Sequence, residues 1–262
     1  MDGTNSYWLT RIVYLRAISS IYFIAFLVAF DQNRALIGAR GLTPANDYMQ
    51  RVKEHFKDDR LSMYSYAPTI LWFVNWQNDI NFYLDAMSMA GMLIAATVII
   101  KGSSNMILMS LLWVLYHSIV AVGQRWYGFG WESQTLETGF IAIWFVPFWS
   151  CSRWKVRPGS FPVMASLWMI FRIMLGAGLI KMRGDECWRD LTCMNYHYET
   201  QPMPNPIAYF LHKSPEFIHK FEIVGNHIVE LVLPFLLFTP WRTGRLASGC
   251  GIMGFMGIII IR

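Results

Sequence analysis

YLDAMSMAGMLIAATVII (residues 83–100), KGSSN (101–105) and MILMSLLWVLYHSIVAV (106–122) follow one another without interruption. Each flanking run is about as long as the roughly 18 apolar residues that carry a helix across a hydrocarbon core. The turn between them is so short that the two helices must run antiparallel. This hairpin sets the fold class: an all-α polytopic membrane protein. Working outward, Ile12–Phe30 forms a span before it, and Phe140–Trp149, Phe161–Ile180, Glu222–Phe238 and Ala247–Ile261 follow. The expectation is a helical bundle of about six to seven transmembrane helices in a single multi-pass domain, residues 1–262. Composition agrees: of 262 residues, 55% are hydrophobic and 15% charged, well below the usual charged share of about a quarter. The competing reading, a buried soluble core, does not explain so many long apolar runs.

Local details refine the spans. Arg11 and Arg16, near the start of the first, are placed to snorkel toward headgroups. A cleaved signal peptide would need a small-residue cleavage site after the apolar run, and AFDQNRAL offers none, so the first helix is expected to persist. Phe140–Trp149 is short unless its helix begins near Gln134. That start would bring Glu137 into the first turn, where the helix dipole tolerates a carboxylate.

Between the first two spans lies a mixed-charge connection, residues 31–82. Within it, RVKEHFKDDR (Arg51–Arg60) reads as a solvated helix or loop. Pro68–Trp76 is apolar but too short to cross, and either lies in the interface or forms a lid over the bundle. Three connections carry bases without acids: Lys101 in KGSSN, Arg153, Lys155 and Arg157 in CSRWKVRPGS, and Arg242 and Arg245 in PWRTGRL. They alternate along the chain so that all face one side, the cytosol by the positive-inside rule. The N-terminus is then cytosolic, and the 31–82 and 181–221 loops lie on the lumenal side. The net charge of +5 is thus spent on orientation. With no basic stripe, finger spacing or glycine phosphate loop, nucleic acid is not an expected partner; the lipid bilayer is.

The densest polar stretch is RGDECWRDLTCMNYHYETQPMPNP, residues 183–206. Cys187 and Cys193 share its side of the membrane, whereas Cys151 and Cys250 fall beside the basic turns. In an oxidising lumen the first pair can close a small disulfide; two reduced, buried thiols are the other reading. His197, His212, His219 and His227 surround the stretch with Glu199, Glu222 and Glu230 nearby, but no zinc-type spacing links them, so neither a metal nor another cofactor is expected. No nucleophile elbow is present and no catalytic residue is assigned. Inside the spans, His117, Ala121 and Gln124 share one face of the third helix. Glu222, Asn226 and Glu230 form a stripe on the sixth, and Arg172 sits near the middle of the fifth. These polar groups read either as interhelical hydrogen bonds or as a substrate or proton path. Counted from Ile180 and from Glu222, Arg172 and Glu230 both lie roughly 12 Å below one interface, which suggests an ion pair.

CWRDLTC followed by HYETQPMPNP resembles the signature of the lipase maturation factor family. So do WLTRIVYLRA, SYAPTILWFVNW, YGFGWESQTLETGF and FRIMLGAGLIK, in order along nearly the whole chain. The resemblance implies a multi-pass protein of the endoplasmic reticulum membrane that assists folding and assembly of secreted dimeric lipases of the lipoprotein, hepatic and endothelial type. It makes Arg183, Asp185, Trp188, Arg189, Asp190, His197, Tyr198, Glu199, Gln201, Pro202 and Pro204 part of the family's characteristic loop. Family members continue into a soluble C-terminal region, so a chain ending in a hydrophobic segment reads as a short or C-terminally truncated member. The alternatives are an inactive short form or a membrane enzyme, since the family's membrane part is similar to that of vitamin K-dependent carboxylases. His117, Arg172 and Glu230 are the groups such an enzyme would use.

Overall fold

A computed structural model describes residues 7–152, 158–200 and 205–261. Among these residues every regular element is helical, and the protein is an all-α multi-pass membrane protein. Trp8–Leu36, Trp76–Lys101, Phe161–Arg183 and Arg242–Ile260 are long and apolar enough to cross a membrane, and Met106–Val122 is a shorter apolar helix. Contacts divide the chain into two compact units that meet in sequence between Val163 and Met164.

The first unit begins with α1 (Trp8–Leu36), then α2 (Ala45–His55) and α3 (Arg60–Tyr66), so RVKEHFKDDR is the end of one helix and the turn into the next. A single 3-10 turn, Ile70–Phe73, follows. It buries Leu71 and turns Phe73 outward. Its Ile70 N–H donates to Ser118 Oγ at 3.1 Å. The segment therefore acts as a lid on its inner side and presents an aromatic ring on its outer one.

α4 (Trp76–Lys101) and α5 (Met106–Val122) form the hairpin. The turn chemistry is legible residue by residue. Gly102 adopts φ +61° and its N–H donates to Val98 O, ending α4 in the left-handed conformation glycine tolerates best. Asn105 then caps α5, its side chain accepting from Leu108 N at 2.9 Å. α6 (Gly130–Ile143) completes the unit. It starts before Gln134 and stops before Trp149, so the expected Phe140–Trp149 span is not what forms. Glu137 lies in mid-helix rather than in the first turn. Pro147, which disfavours helical geometry at the residue before it, accounts for the early stop.

Helices in lipid gain no hydrophobic driving force from meeting each other, so close packing has to hold them. Tyr22 and Phe26 of α1 are fully buried and both meet Tyr116 of α5 edge-on, with centroids 5.5 Å apart. Gly91 of α4 lies so near Phe26 that an added Cβ would stand 2.5 Å from its ring. Gly139 of α6 lets the Tyr22 hydroxyl approach in the same way.

Polar contacts gather where α1 and α5 end. Arg34 forms an ion pair with the buried Asp85, its Nε donating at 2.8 Å. Asn81 Oδ1 accepts from Ala39 N at 2.9 Å. The 3-10 turn Gln124–Tyr127 sends Gln124 Nε2 to Thr43 O at 3.0 Å and the Tyr127 hydroxyl to Asn33 Oδ1 at 2.7 Å. Burial pushes the Tyr127 phenol well above its ordinary value.

The second unit holds most of α7 (Phe161–Arg183) and the short helices α8 (Glu186–Arg189), α9 (Met194–His197) and α10 (Pro206–His212). Next comes one continuous helical rod: α11 (Glu216–His227), a wider π turn over Ile228–Val232, and α12 (Leu233–Leu236). α13 (Arg242–Ile261) closes the described chain.

Candidate functional site

The polar loop after α7 folds into a small core of its own. Cys187 and Cys193 are joined by a disulfide, with Cα atoms 4.7 Å apart. The bend between them uses Leu191 at φ +58°. Thr192 and Cys193 N–H groups both donate to the Cys187 carbonyl, at 2.9 and 3.2 Å. Cys193, Met194, Tyr198, Ala208 and Ile223 are buried together, with Trp188 packed against them.

Hydrogen bonds fasten this core to α11. The Tyr198 hydroxyl donates to Glu222 Oε2 at 3.0 Å. His219, buried, donates from Nε2 to Leu211 O at 3.1 Å, and its Nδ1 pairs with the Asn195 side-chain amide at 2.8 Å. His227 Nε2 donates to the Trp188 carbonyl at 3.0 Å. On the outer side His212 meets Glu199 at 2.9 Å. In the first turn of α11 a hydrogen bond from Lys220 holds the Glu216 carboxyl below the usual carboxylate range.

Beneath the loop lies a buried polar cluster. Lys181 Nζ stands 2.6 Å from Glu230 Oε1 and 2.9 Å from Asn226 Oδ1. Asn226 Nδ2 donates to Glu230 Oε2 at 3.0 Å. The ammonium lies 5.0 Å from the Trp188 ring centroid, a cation–π distance. Glu230 sits in the π turn, a geometry that recurs at functional sites. Lys181, Trp188, Tyr198, Glu222 and Asn226 border a cavity of about 240 Å³ that Phe255 and Ile259 of α13 close. An ammonium and a carboxylate that neutralise each other over an indole can hold a geometry or bind a polar group.

The structure brings some expected residues together and separates others. Asn226 and Glu230, one turn apart, bond each other, and Glu222, a turn earlier, bonds Tyr198 of the loop. The cation on Glu230, however, is Lys181 and not Arg172. The expectation counted depth from where hydropathy changes, at Ile180 and Glu222. The helices run past both points: α7 continues to Arg183, and the first turns of α11 face the folded loop instead of lipid. His117 and Gln124 do not share a helix face either. α5 ends at Val122 and Gln124 takes φ +49°, while His117 packs edge-on against Trp113 with centroids 4.7 Å apart. Arg183, Asp185, Arg189 and Asp190 are exposed, with Arg189 3.5 Å from Glu186. His197 is half-buried near Trp188. Gln201, Pro202 and Pro204, like Arg153, Lys155 and Arg157, lie outside the described residues. Among the described residues, no three His, Cys, Asp or Glu side chains group so as to hold a metal ion.

Together these features define a polytopic α-helical membrane protein whose most elaborately bonded polar structure is a connection between two apolar helices. The family described as Lipase maturation factor transmembrane domain matches residues 9–262. The chain belongs to that family. It is 55% identical to Lipase maturation factor 1 of Mus musculus over 98% of this chain and 45% of the relative. With Lipase maturation factor 1 of Homo sapiens the identity is 54%, over 91% of this chain and 42% of the relative. With Lipase maturation factor 2 of Xenopus tropicalis it is 32%, over 92% and 34%. The chain thus spans less than half the length of these relatives. No solved structure matches it.

Proposed function

We infer that this chain acts at the endoplasmic reticulum membrane as a non-enzymatic, chaperone-like factor in the folding, assembly and maturation of secreted lipases. Its clients are dimeric lipases of the lipoprotein, hepatic and endothelial type. The observation that carries this reading is identity above half, across nearly the whole chain, with proteins named Lipase maturation factor 1. The Cys187–Cys193 disulfide supports placing residues 181–221 in an oxidising lumen, where such clients fold. The 31–82 connection lies on the same side. The basic turns at Lys101, at Arg153, Lys155 and Arg157, and at Arg242 and Arg245 face the cytosol with the N-terminus. The loop surface around Arg183, Asp185, Arg189 and Asp190 is the part offered to the client.

The test is co-expression of this chain with a lipoprotein-type lipase in cells lacking their own family member. Secreted lipase activity per unit of lipase protein rises above the vector control. Activity that stays at the control level while the chain is present in the membrane fraction refutes the proposal.

A further inference from the structure

A second cavity, of about 410 Å³, opens between α1, α5 and α6 in the first unit. One end is walled by Tyr116, Trp126, Tyr127 and Trp131, with the carboxylate of Glu132 among them. The walls are fixed in place. The Tyr116 hydroxyl donates to Glu132 Oε2. Trp126 Nε1 donates to Thr43 Oγ1 at 2.8 Å, and the Tyr127 hydroxyl to Asn33 at 2.7 Å. Trp131 stacks on Phe129 with centroids 4.5 Å apart and planes 8° from parallel. The other end is apolar and runs along Ile21, Ile24 and Val28 of α1, whose outer faces are exposed.

The orientation of this cavity is set by the fold. Trp126, Tyr127, Trp131 and Glu132 lie where α5 terminates and α6 begins, near the membrane boundary, and Tyr116 stands deeper in α5 against Tyr22 and Phe26. The cavity's apolar end follows α1 inward, and Ile21 to Leu36 covers roughly 22 Å at about 1.5 Å per residue. That is the scale of one leaflet of a hydrocarbon core about 30 Å thick, with its headgroup layer.

The chemistry at the aromatic end selects a cation. One carboxylate is too few oxygens for a divalent metal ion, which takes six or more in the case of calcium. An anion would meet the Glu132 charge. Aromatic faces beside a carboxylate suit a diffuse monocation with no hydrogen-bond donors, the chemistry by which aromatic cages take quaternary ammonium groups. We propose that this cavity binds a choline phospholipid of the surrounding bilayer, its trimethylammonium at Glu132 between the aromatic walls and one acyl chain along Ile21, Ile24 and Val28.

The experiment is native mass spectrometry of the chain in a maltoside detergent, titrated separately with dioleoyl phosphatidylcholine, phosphatidylethanolamine and phosphatidylglycerol. One phosphatidylcholine is retained, at roughly tenfold lower lipid concentration than the other two. Glu132→Gln keeps an acceptor for Tyr116, and Trp131→Ala alters an exposed ring. Each weakens phosphatidylcholine retention by roughly tenfold while helix content by circular dichroism stays that of the parent. A photoactivatable phosphatidylcholine crosslinks within α1, α5 or α6. Equal retention of the three lipids, undiminished retention in both variants, or crosslinks confined to other helices overturns the proposal. Free phosphocholine displacing the lipid at equal concentration overturns the acyl-chain half of it.

Discussion

Replacing Glu230 by leucine leaves the Lys181 ammonium with Asn226 and the face of Trp188. Replacing Lys181 by methionine leaves a carboxylate whose side chain is only 4% exposed with a single amide donor. At the 2.6 Å separation, attraction between two unit charges is about 6 kcal/mol for an effective dielectric constant near 20. Most of this is offset by the cost of removing both ions from water. The loss on breaking one partner of such a pair is about 3–5 kcal/mol. Lys181 is partly exposed and can reach water, so Glu230→Leu belongs at the lower end, about 3 kcal/mol, and Lys181→Met nearer 4 kcal/mol. The double replacement strands no charge and costs less than either single change, about 1–2 kcal/mol for the Asn226 amide left without its partners, far short of the roughly 7 that independent sites would give. At about 2–4 °C per kcal/mol for a chain of this size, Glu230→Leu alone lowers the thermal midpoint by about 6–12 °C. Heating in detergent followed by fluorescence-detected gel filtration measures all three variants. Additive losses refute the pairing. Arg172 provides the control: it lies about 13 Å from Lys181 along α7, so Arg172→Met and Glu230→Leu combine additively. Strong coupling between those two, with none to Lys181, would show the pair to be misassigned.

Alkylation and mass mapping without reductant recovers Cys187 and Cys193 as one linked peptide, and the double serine variant is less stable by about 2 kcal/mol; free labelling of both thiols contradicts this. Gly91→Ala drives a methyl into the Phe26 ring and costs about 1–3 kcal/mol. Gly249→Ala in α13 meets open space and gains up to about 1 kcal/mol of helix propensity; thermal midpoints separate the two, and equal effects would mean that packing at Phe26 is not what Gly91 serves. In sealed microsomes, a protease trims an epitope tag inserted within 153–157 before one inserted within 195–205. The reverse order inverts the membrane topology.

The fold class was readable because bilayer thickness demands long apolar runs, and the KGSSN hairpin announces both its caps in the glycine and asparagine. Helix ends were less readable, because hydropathy marks where residues stop being apolar and not where backbone hydrogen bonding stops. This accounts for Lys181, the first polar residue after an apolar run, which looked like a loop residue and is instead the counter-ion of Glu230. Arg34 and Asp85 left a signal that went unused: an aspartate three residues into an apolar run needs a partner at its own depth. The Tyr116–Glu132 contact left none, since Glu132 becomes a neighbour of α5 only once α6 begins at Gly130. The aromatic and histidine content of 183–206 marked it as organised, but its attachment to α11 through His219 and Glu222 is tertiary, and no local pattern encodes it.

The wide turn at Ile228–Val232 gives the rod that contains it an unusual mutational profile. Pro234 has no N–H for the carbonyl of Glu230, and in a regular helix its ring would press against that oxygen. Opening the turn removes the conflict by carrying one surplus residue. Apart from Glu230, the segment is therefore sensitive to length more than to composition. Outward-facing Ile228 and Val232 can exchange for other apolar residues at little cost. Deleting one residue between them closes the turn into a regular helix and sets the Pro234 ring against the carbonyl four residues before it. Natural variation here is expected as substitutions, with insertions and deletions selected out.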